Sequence, residues 1–209
     1  MLSILQIMNN TASIGLSDFH PLIAEWFTEN IGVPSEIQNK SWPIISAGEH
    51  ALITAPTGSG KTFTAFLWAV NQLVTSAWQG GCTRVLYVSP TKALNNDIRK
   101  NLEWPLDSLS DFFERKGEYF PDIQVLTRSG DTPQNERRKM FTYPPEILIT
   151  TPESLNILLT GKRASLLFSS LKTVIIDEIH AVIESKRGSA LISGIERLVP
   201  YAGEFQRIA

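Results

Sequence analysis

The residues with the clearest chemistry are Ala55-Pro56-Thr57-Gly58-Ser59-Gly60-Lys61-Thr62. Small and glycine residues let successive backbone N–H groups turn inward around a phosphate, Lys61 can reach β- and γ-phosphates, and Thr62 offers a hydroxyl to Mg²⁺. Ala55 stands where the general phosphate-loop pattern has glycine, but Gly58, Gly60, Lys61 and Thr62 are all present. The competing reading is a glycine-rich turn that binds nothing. It loses ground because the apolar run at 51–54 reads as a strand leading in and an amphipathic helical stretch leads out.

Asp177 and Glu178 close the aliphatic run Thr173-Val174-Ile175-Ile176. Mg²⁺ is a hard ion that keeps several waters, so one carboxylate suffices to hold it, and Asp177 is the candidate. Glu178 is then left to orient and polarise an attacking water. Adjacent residues leaving a strand point to opposite sides, which suits two separate roles. An isolated Asp-Glu would be only an acidic turn; a phosphate loop in the same chain argues for chemistry. His180 either senses nucleotide state or fills a polar niche. With His20, His50 and Cys82 it is too scattered for a zinc or iron site, and a single cysteine rules out an intramolecular disulfide framework and suits a reducing cytoplasm.

A third set recurs where strands hand over to helices. Thr91 and Thr151 stand where helix N-termini present free N–H groups, Lys92, Arg128, Lys162 and Arg163 add charge, and Gly130 lets a backbone approach closely. Singly these are caps and solvated charges. Their recurrence at three successive strand ends points to a groove for one strand of nucleic acid. Ahead of the phosphate loop, the Gln38 carboxamide could pair with N6 and N7 of adenine, although alone it reads as a solvated helix residue.

Something must hold these groups in place. The chain has 209 residues, 43% of them hydrophobic, enough for one ordinary core, and a net charge of −2 that gives no global field for nucleic acid. Residues 1–17 read as a flexible leader: no basic residue precedes the apolar start and Asn9-Asn10-Thr11 interrupts it, against a signal peptide. No run reaches the roughly 18 apolar residues that cross a bilayer. Packing helices are expected over 21–30, with Leu22, Ile23, Trp26 and Phe27 on one face, and over 34–46, with Ile37, Trp42, Ile44 and Ile45. A helix runs from the loop to Gly80-Gly81. Strands follow at 84–88, 123–127, 146–150 and 173–176, and one begins at 206. Between them come a helix that Trp104-Pro105 breaks, a short basic helix with Arg137, Arg138 and Lys139, a helix capped by Thr151 with Pro152 in its first turn, and a helix over 188–199 with Leu191, Ile192, Ile195 and Leu198 inward. Strands alternating with helices make an α/β fold around a mostly parallel sheet, whose ligands sit at strand carboxyl ends.

As an ordered series, Gln38, the phosphate loop, Ser-Pro-Thr-Lys-Ala-Leu (89–94), Arg-Ser-Gly-Asp-Thr (128–132), Thr-Thr-Pro-Glu-Ser-Leu (150–155) and Asp-Glu-Ile-His (177–180) resemble superfamily 2 helicases of the DEAD/DEAH type. Trp26-Phe27 with Pro34-Ser35, Trp42-Pro43, Asn95-Asn96-Asp97-Ile98, Gly130-Asp131-Thr132 and Lys186-Arg187-Gly188 make the finer match the large-helicase-related (Lhr-like) ATP-dependent DNA helicases. The resemblance covers 18–209. It implies a three-layer RecA-like P-loop NTPase fold with ATP and Mg²⁺ as cofactors. Gln38 would recognise adenine, and Thr57, Gly58, Ser59, Gly60, Lys61 and Thr62 would hold the phosphates, with Thr62 and Asp177 on the metal. Lys61, Asp177, Glu178 as base and His180 as coupling group would be catalytic, and Pro90, Thr91, Lys92, Arg128, Gly130, Thr151 and Pro152 would line the path of single-stranded DNA or a tailed duplex. DNA repair is the implied setting.

Isoleucine at 179, where DEAD proteins carry alanine, argues against an RNA helicase. The Ser-Ala-Thr motif expected after Ala209 and the second RecA-like lobe with its arginine finger are not in the chain. It is therefore expected to be the first lobe of a longer motor, weakly active or inactive alone. The alternatives are a nucleotide-gated nucleic-acid-binding or remodelling module without unwinding, and a P-loop nucleotidase with no nucleic-acid partner.

Overall fold

The computed structural model describes residues 14–209 apart from Thr57 and Ile183, and without the side chains at 14, 92–94 and 96. The chain forms two compact units: one holds the residues up to Ala77 with Asp107–Pro121, the other Trp78–Leu106 with Asp122–Ala209.

The first unit carries the phosphate loop on three helices: α1 (Pro21–Asn30), α2 (Glu36–Ser46) and α3 (Lys61–Val74). Both leading helices begin where capping chemistry says they should. The His20 ring nitrogen accepts the Leu22 N–H with Pro21 at the first position, and Ser35 with Gln38 closes a capping box. Ile23, Trp26 and Phe27 are buried and Leu22 is half-buried. In α2 the inward residues are Gln38, Ser41, Trp42 and Ile45, while Ile44 is exposed rather than inward. The core is aromatic: Trp42 takes Phe19 and Phe27 edge-on at 4.9 and 5.5 Å, and its indole N–H donates to the Thr64 carbonyl at 3.0 Å. Inside the stretch expected to be a leader, Ile14–Leu16 forms a 3₁₀ turn with Leu16 buried; residues 1–13 lie outside the described residues.

Two expectations fail here. Residues 51–54 form an isolated bridge at Ala51 and no strand; Leu52 is 76% exposed and only Ile53 is buried, so the run lacks the two covered faces of a core strand. The helix after the loop ends at Val74, where Thr75 caps it and Ser76 turns left-handed, well before the glycines at 80 and 81.

The second unit is built on five parallel strands, β1 (Val85–Val88), β2 (Val125–Arg128), β3 (Ile147–Thr150), β4 (Thr173–Ile176) and β5 (Gln206–Ile208), in the order β2-β3-β1-β4-β5. The connections are α4 (Lys92–Arg115), whose residues from Asp107 on belong to the first unit, α5 (Gln134–Thr142), α6 (Pro152–Thr160) with α7 (Ala164–Phe168), and α8 (Lys186–Glu196) with α9 (Val199–Ala202). Parallel crossovers are right-handed. The step from β1 to β2 runs one way along the sheet and all later steps run the other, so α4 covers one face and α5 to α8 the opposite one. The buried cluster agrees: Leu86, Val88, Leu148, Val174 and Ile176 pack with Met140, Leu155, Phe168, Leu191 and Ile195.

Helix α4 continues past Pro105, where a break was expected. Asn95, Ile98, Leu102, Pro105, Leu109 and Phe112 are all buried, a helical stripe continuous across the proline. Burial of that stripe outweighs the lost hydrogen bond and the clash, which cost about 3 kcal/mol. The last long helix spans Lys186–Glu196 with Leu191 and Ile195 inward, while Ile192 is 43% exposed. No described helix is long and apolar enough to cross a membrane.

Candidate functional site

In the first unit, Gly58 and Gly60 sit at φ 82° and 85°, backbone that side-chain-bearing residues adopt only at a cost. Gly60 is the N-cap of α3, so the loop delivers its N–H groups to the positive end of a 14-residue helix. Lys61 donates to the carbonyls of Ala55 and Pro56, the latter at 3.2 Å. A phosphate entering the loop competes with those carbonyls for the ammonium. The Ser59 hydroxyl is buried and finds no partner among the described residues, an orphan that a phosphate oxygen would satisfy. Thr62 is half-buried, and Thr57 lies outside the described residues. This donor set fits a nucleotide phosphate.

Gln38 is 5% exposed, and its Oε1 accepts the Ser35 N–H at 2.8 Å. It is therefore no solvated helix residue. Its Nε2 faces Gly60, 3.2 Å from where a Cβ would stand there. One lone pair and the amide donors remain for a ligand.

In the second unit, Asp177 leaves β4 with its N–H on the Val88 carbonyl at 3.0 Å. Its carboxylate is fixed twice: Oδ2 accepts the Tyr87 hydroxyl and Oδ1 the Glu178 N–H at 3.0 Å. Glu178 is left-handed at φ 48°, a strained setting for a non-glycine residue, and it begins the 3₁₀ turn Ile179–Ala181. That bend gives the two neighbouring carboxylates different directions. Glu178 Oε2 lies 3.1 Å from His180 Nε2 on a largely exposed ring. Tyr87 escaped the sequence reading; the one signal was a hydroxyl-bearing aromatic inside the aliphatic run Val85–Val88.

The strand-end set divides. Thr151 is the N-cap of α6 and accepts the Ser154 N–H at 3.3 Å, with Pro152 in the first turn as expected; both are buried. Pro90 offers its carbonyl to Arg187 at 2.6 Å, Thr91 is exposed, and the side chain of Lys92, the first residue of α4, lies outside the described residues. Arg128 is buried, and its guanidinium donates to the Ser129 carbonyl. Burial, then the charge of Arg137, holds its pKa below the usual arginine value. Arg137 wraps the turn, donating to the Thr132 and Gly130 carbonyls at 2.6 Å each. Lys162 and Arg163 do not join this set. They follow α6, which runs back against the parallel strands, so they stand at the amino end of β4.

Sequence reasoning missed the tying roles of Tyr87, Arg187 and Glu153, whose partners are distant in the chain; the last two stood only inside motifs that carry the resemblance. Among the described residues there is no cluster of three or more metal-ligating side chains.

A DEAD/DEAH box helicase family model matches residues 35–208. The chain belongs to the DEAD/DEAH box helicase family. It is 47% identical over 192 residues to the Lhr helicase/probable uracil glycosylase of Mycolicibacterium smegmatis, covering 91% of this chain and 13% of that protein. It is 46% identical over 189 residues to the ATP-dependent helicase Lhr-Core protein 2 of Thermococcus barophilus, covering 89% and 22%. A solved structure of Mycobacterium smegmatis helicase Lhr bound to ssDNA and AMP-PNP superposes with a TM-score of 0.87 at 47% identity, covering 93% of this chain and 25% of that one. The chain thus spans between about an eighth and a quarter of these relatives. The RecA-like fold and the finer likeness to large-helicase-related proteins are borne out. The likeness to the RNA-bound DEAD-box helicase Mss116, at 20% identity and a TM-score of 0.75, is one of fold.

Proposed function

We propose that this helicase-family chain is the ATP-binding lobe of a DNA motor that couples hydrolysis to movement along, or separation of, strands. The observation that carries the reading is the phosphate loop: two left-handed glycines at a helix N-terminus, with a buried hydroxyl lacking a partner. The relatives named ATP-dependent helicases, and the Lhr structure with ssDNA and AMP-PNP, support it.

In the first unit Lys61, the loop N–H groups and Ser59 hold phosphate oxygens, Thr62 offers a metal ligand, and Gln38 contacts adenine. In the second unit Asp177 is a metal carboxylate kept in one rotamer by Tyr87, Glu178 accepts a proton from the attacking water, and His180 positions Glu178. Bound ATP with Mg²⁺ supplies the phosphoryl group and the charge that neutralises its transfer. Pro90, Thr91, Lys92, Arg128, Gly130, Thr151 and Pro152 grip the sugar-phosphate of a single strand, with Arg137 shaping the turn at Gly130. Buried Arg128 and Thr151 act mainly by fixing backbone. In the intact protein an arginine finger from a second lobe would add about 10³ to 10⁵ in rate. The single cysteine suits a cytoplasmic setting.

The test is ATP turnover by the intact protein with and without single-stranded DNA. Stimulation by DNA is expected, and both Lys61→Ala and Glu178→Gln should remove it. DNA-stimulated turnover that survives both substitutions would refute the assignment.

A further inference from the structure

Arg187 stands in the first turn of α8, where a cation is disfavoured by the helix dipole, so helix stability does not explain it. Its guanidinium instead makes two contacts far away in sequence: Nε donates to Glu153 Oε1 and Nη2 to the Pro90 carbonyl, each at 2.6 Å. Glu153 belongs to the first turn of α6, directly behind Thr151 and Pro152. Pro90 lies in the turn between β1 and α4, directly before Thr91. One planar fork thus ties together the loops after β1 and β3, from the segment after β4.

That third segment is tied to the turn at Glu178 by hydrogen bonds among its described residues. Ala181 donates to the Glu178 carbonyl at 2.9 Å, Val182 to Ile179 at 3.1 Å and Ser185 to Val182 at 2.9 Å; the Ser185 hydroxyl then caps α8 by accepting the Gly188 N–H at 3.3 Å. These bonds link the turn at Glu178 to the first turn of α8.

Resting on the function proposed above, we propose that Arg187 is a positioning residue that couples nucleotide state at Asp177 and Glu178 to the grip of the Pro90 and Thr151 loops on nucleic acid. Its role is to act through the two loops it ties. The fork geometry is what matters, because an ammonium can keep the Glu153 pair but cannot hold two acceptors in one plane. The pair lies in the open, with the two side chains 47% and 55% exposed, and both groups shift toward their charged forms. Hydrogen bonding to Glu153 raises the Arg187 pKa. At Glu153 burial pushes upward, but the Arg187, backbone and Thr151 hydrogen bonds, with the Arg187 charge, bring the net value down.

The experiment measures the affinity of the intact protein for a fluorescent single-stranded DNA with and without AMP-PNP, beside AMP-PNP affinity without DNA. Wild type is expected to change its DNA affinity by about tenfold on nucleotide binding, within the usual 5- to 150-fold range of such coupling. Arg187→Ala should bring that ratio to within threefold of one while leaving nucleotide-free DNA affinity and DNA-free AMP-PNP affinity within twofold. Arg187→Lys should recover less than half of the coupling, and Glu153→Gln should weaken it with an unchanged melting temperature, so loss is read on folded variants. A wild type that binds both ligands without coupling, an Arg187→Ala protein that keeps the coupling, or full rescue by lysine overturns the proposal alone. Failure of wild type to bind AMP-PNP or DNA overturns the underlying function instead.

Discussion

Substituting alanine for each loop glycine separates two costs that the structure makes unequal. Gly58 and Gly60 share nearly the same left-handed backbone, but a Cβ at 58 meets nothing within 4 Å, whereas one at 60 meets Gln38 Nε2 at 3.2 Å. Gly58→Ala therefore incurs only the backbone term, about 1–2 kcal/mol, less up to about 1 from a stiffer unfolded chain. At 60 the neighbour cannot swing away freely: Gln38 is 5% exposed and Ser35 N holds its Oε1 at 2.8 Å. Yielding a few tenths of an ångström strains that bond and the packing around it, adding about 1–3 kcal/mol. The assay is urea denaturation followed by tryptophan fluorescence, Trp26, Trp42 and Trp68 being buried in this unit. Gly60→Ala should cost more than Gly58→Ala, and a double-mutant cycle with Gln38→Ala should recover about 1 kcal/mol. The cycle cancels the lost capping box and the alanine N-cap, isolating the Cβ–amide contact. Equal costs at the two glycines together with a coupling below about 0.5 kcal/mol, the usual limit of additivity, would refute the reasoning.

Two further outcomes follow from buried or paired carboxylates in the second unit. Glu146 is 4% exposed and accepts the Gly81 N–H at 2.5 Å and the Gln124 N–H at 2.8 Å, both from exposed residues, so Glu146→Ala removes two charge-assisted bonds that water only partly replaces and should cost about 1.5–3 kcal/mol in a denaturation curve, with Glu146→Gln milder. A loss under 1 kcal/mol would show that water reaches both groups. Glu153 has a folded pKa below its unfolded one, so its pairing is fully present above the ordinary glutamate range and is lost as pH falls through the lowered value. An NMR titration of the Glu153 carboxylate should therefore shift upward in Arg187→Ala, and an unmoved titration would mean that the pair does not persist in solution.

Much of the second unit was legible because its signals are local. Thr173–Ile176 is an uninterrupted β-branched run and forms β4 with those bounds, and Thr151-Pro152 carries both the cap and the first-turn proline of α6. The loop glycines were legible because left-handed backbone leaves little other choice. What failed was tertiary. Pro105 reads as a breaker until the buried stripe from Asn95 to Phe112 is seen to pass through it, and the run at 51–54 reads as a strand from its apolar residues although its neighbours leave Leu52 in water. The Arg187 tie and the Glu146 clamp bridge positions 22 to 97 residues apart, and no local window of sequence contains both ends.

Among the described residues, the only non-glycine residues at positive φ are Ser76 and Glu178. Ser76 ends a helix, where left-handed turns are routine and a small polar residue fits. Glu178 has no such excuse. It sits between the last residues of β4 and a 3₁₀ turn, where glycine would avoid a strain of about 1–3 kcal/mol. The surroundings hold it there: the Asp177 carboxylate accepts the Glu178 N–H, Tyr87 holds that carboxylate from the neighbouring strand, and the Asp177 N–H is bonded to Val88. Strain kept at one residue by three bonds from its neighbours, with a carboxylate where glycine would be easier, is best explained by a need for that side chain in that direction. This supports the roles proposed for the two residues, a proton acceptor at 178 and a metal carboxylate at 177, since Asp177 is the one whose carboxylate is held by both Tyr87 and the backbone.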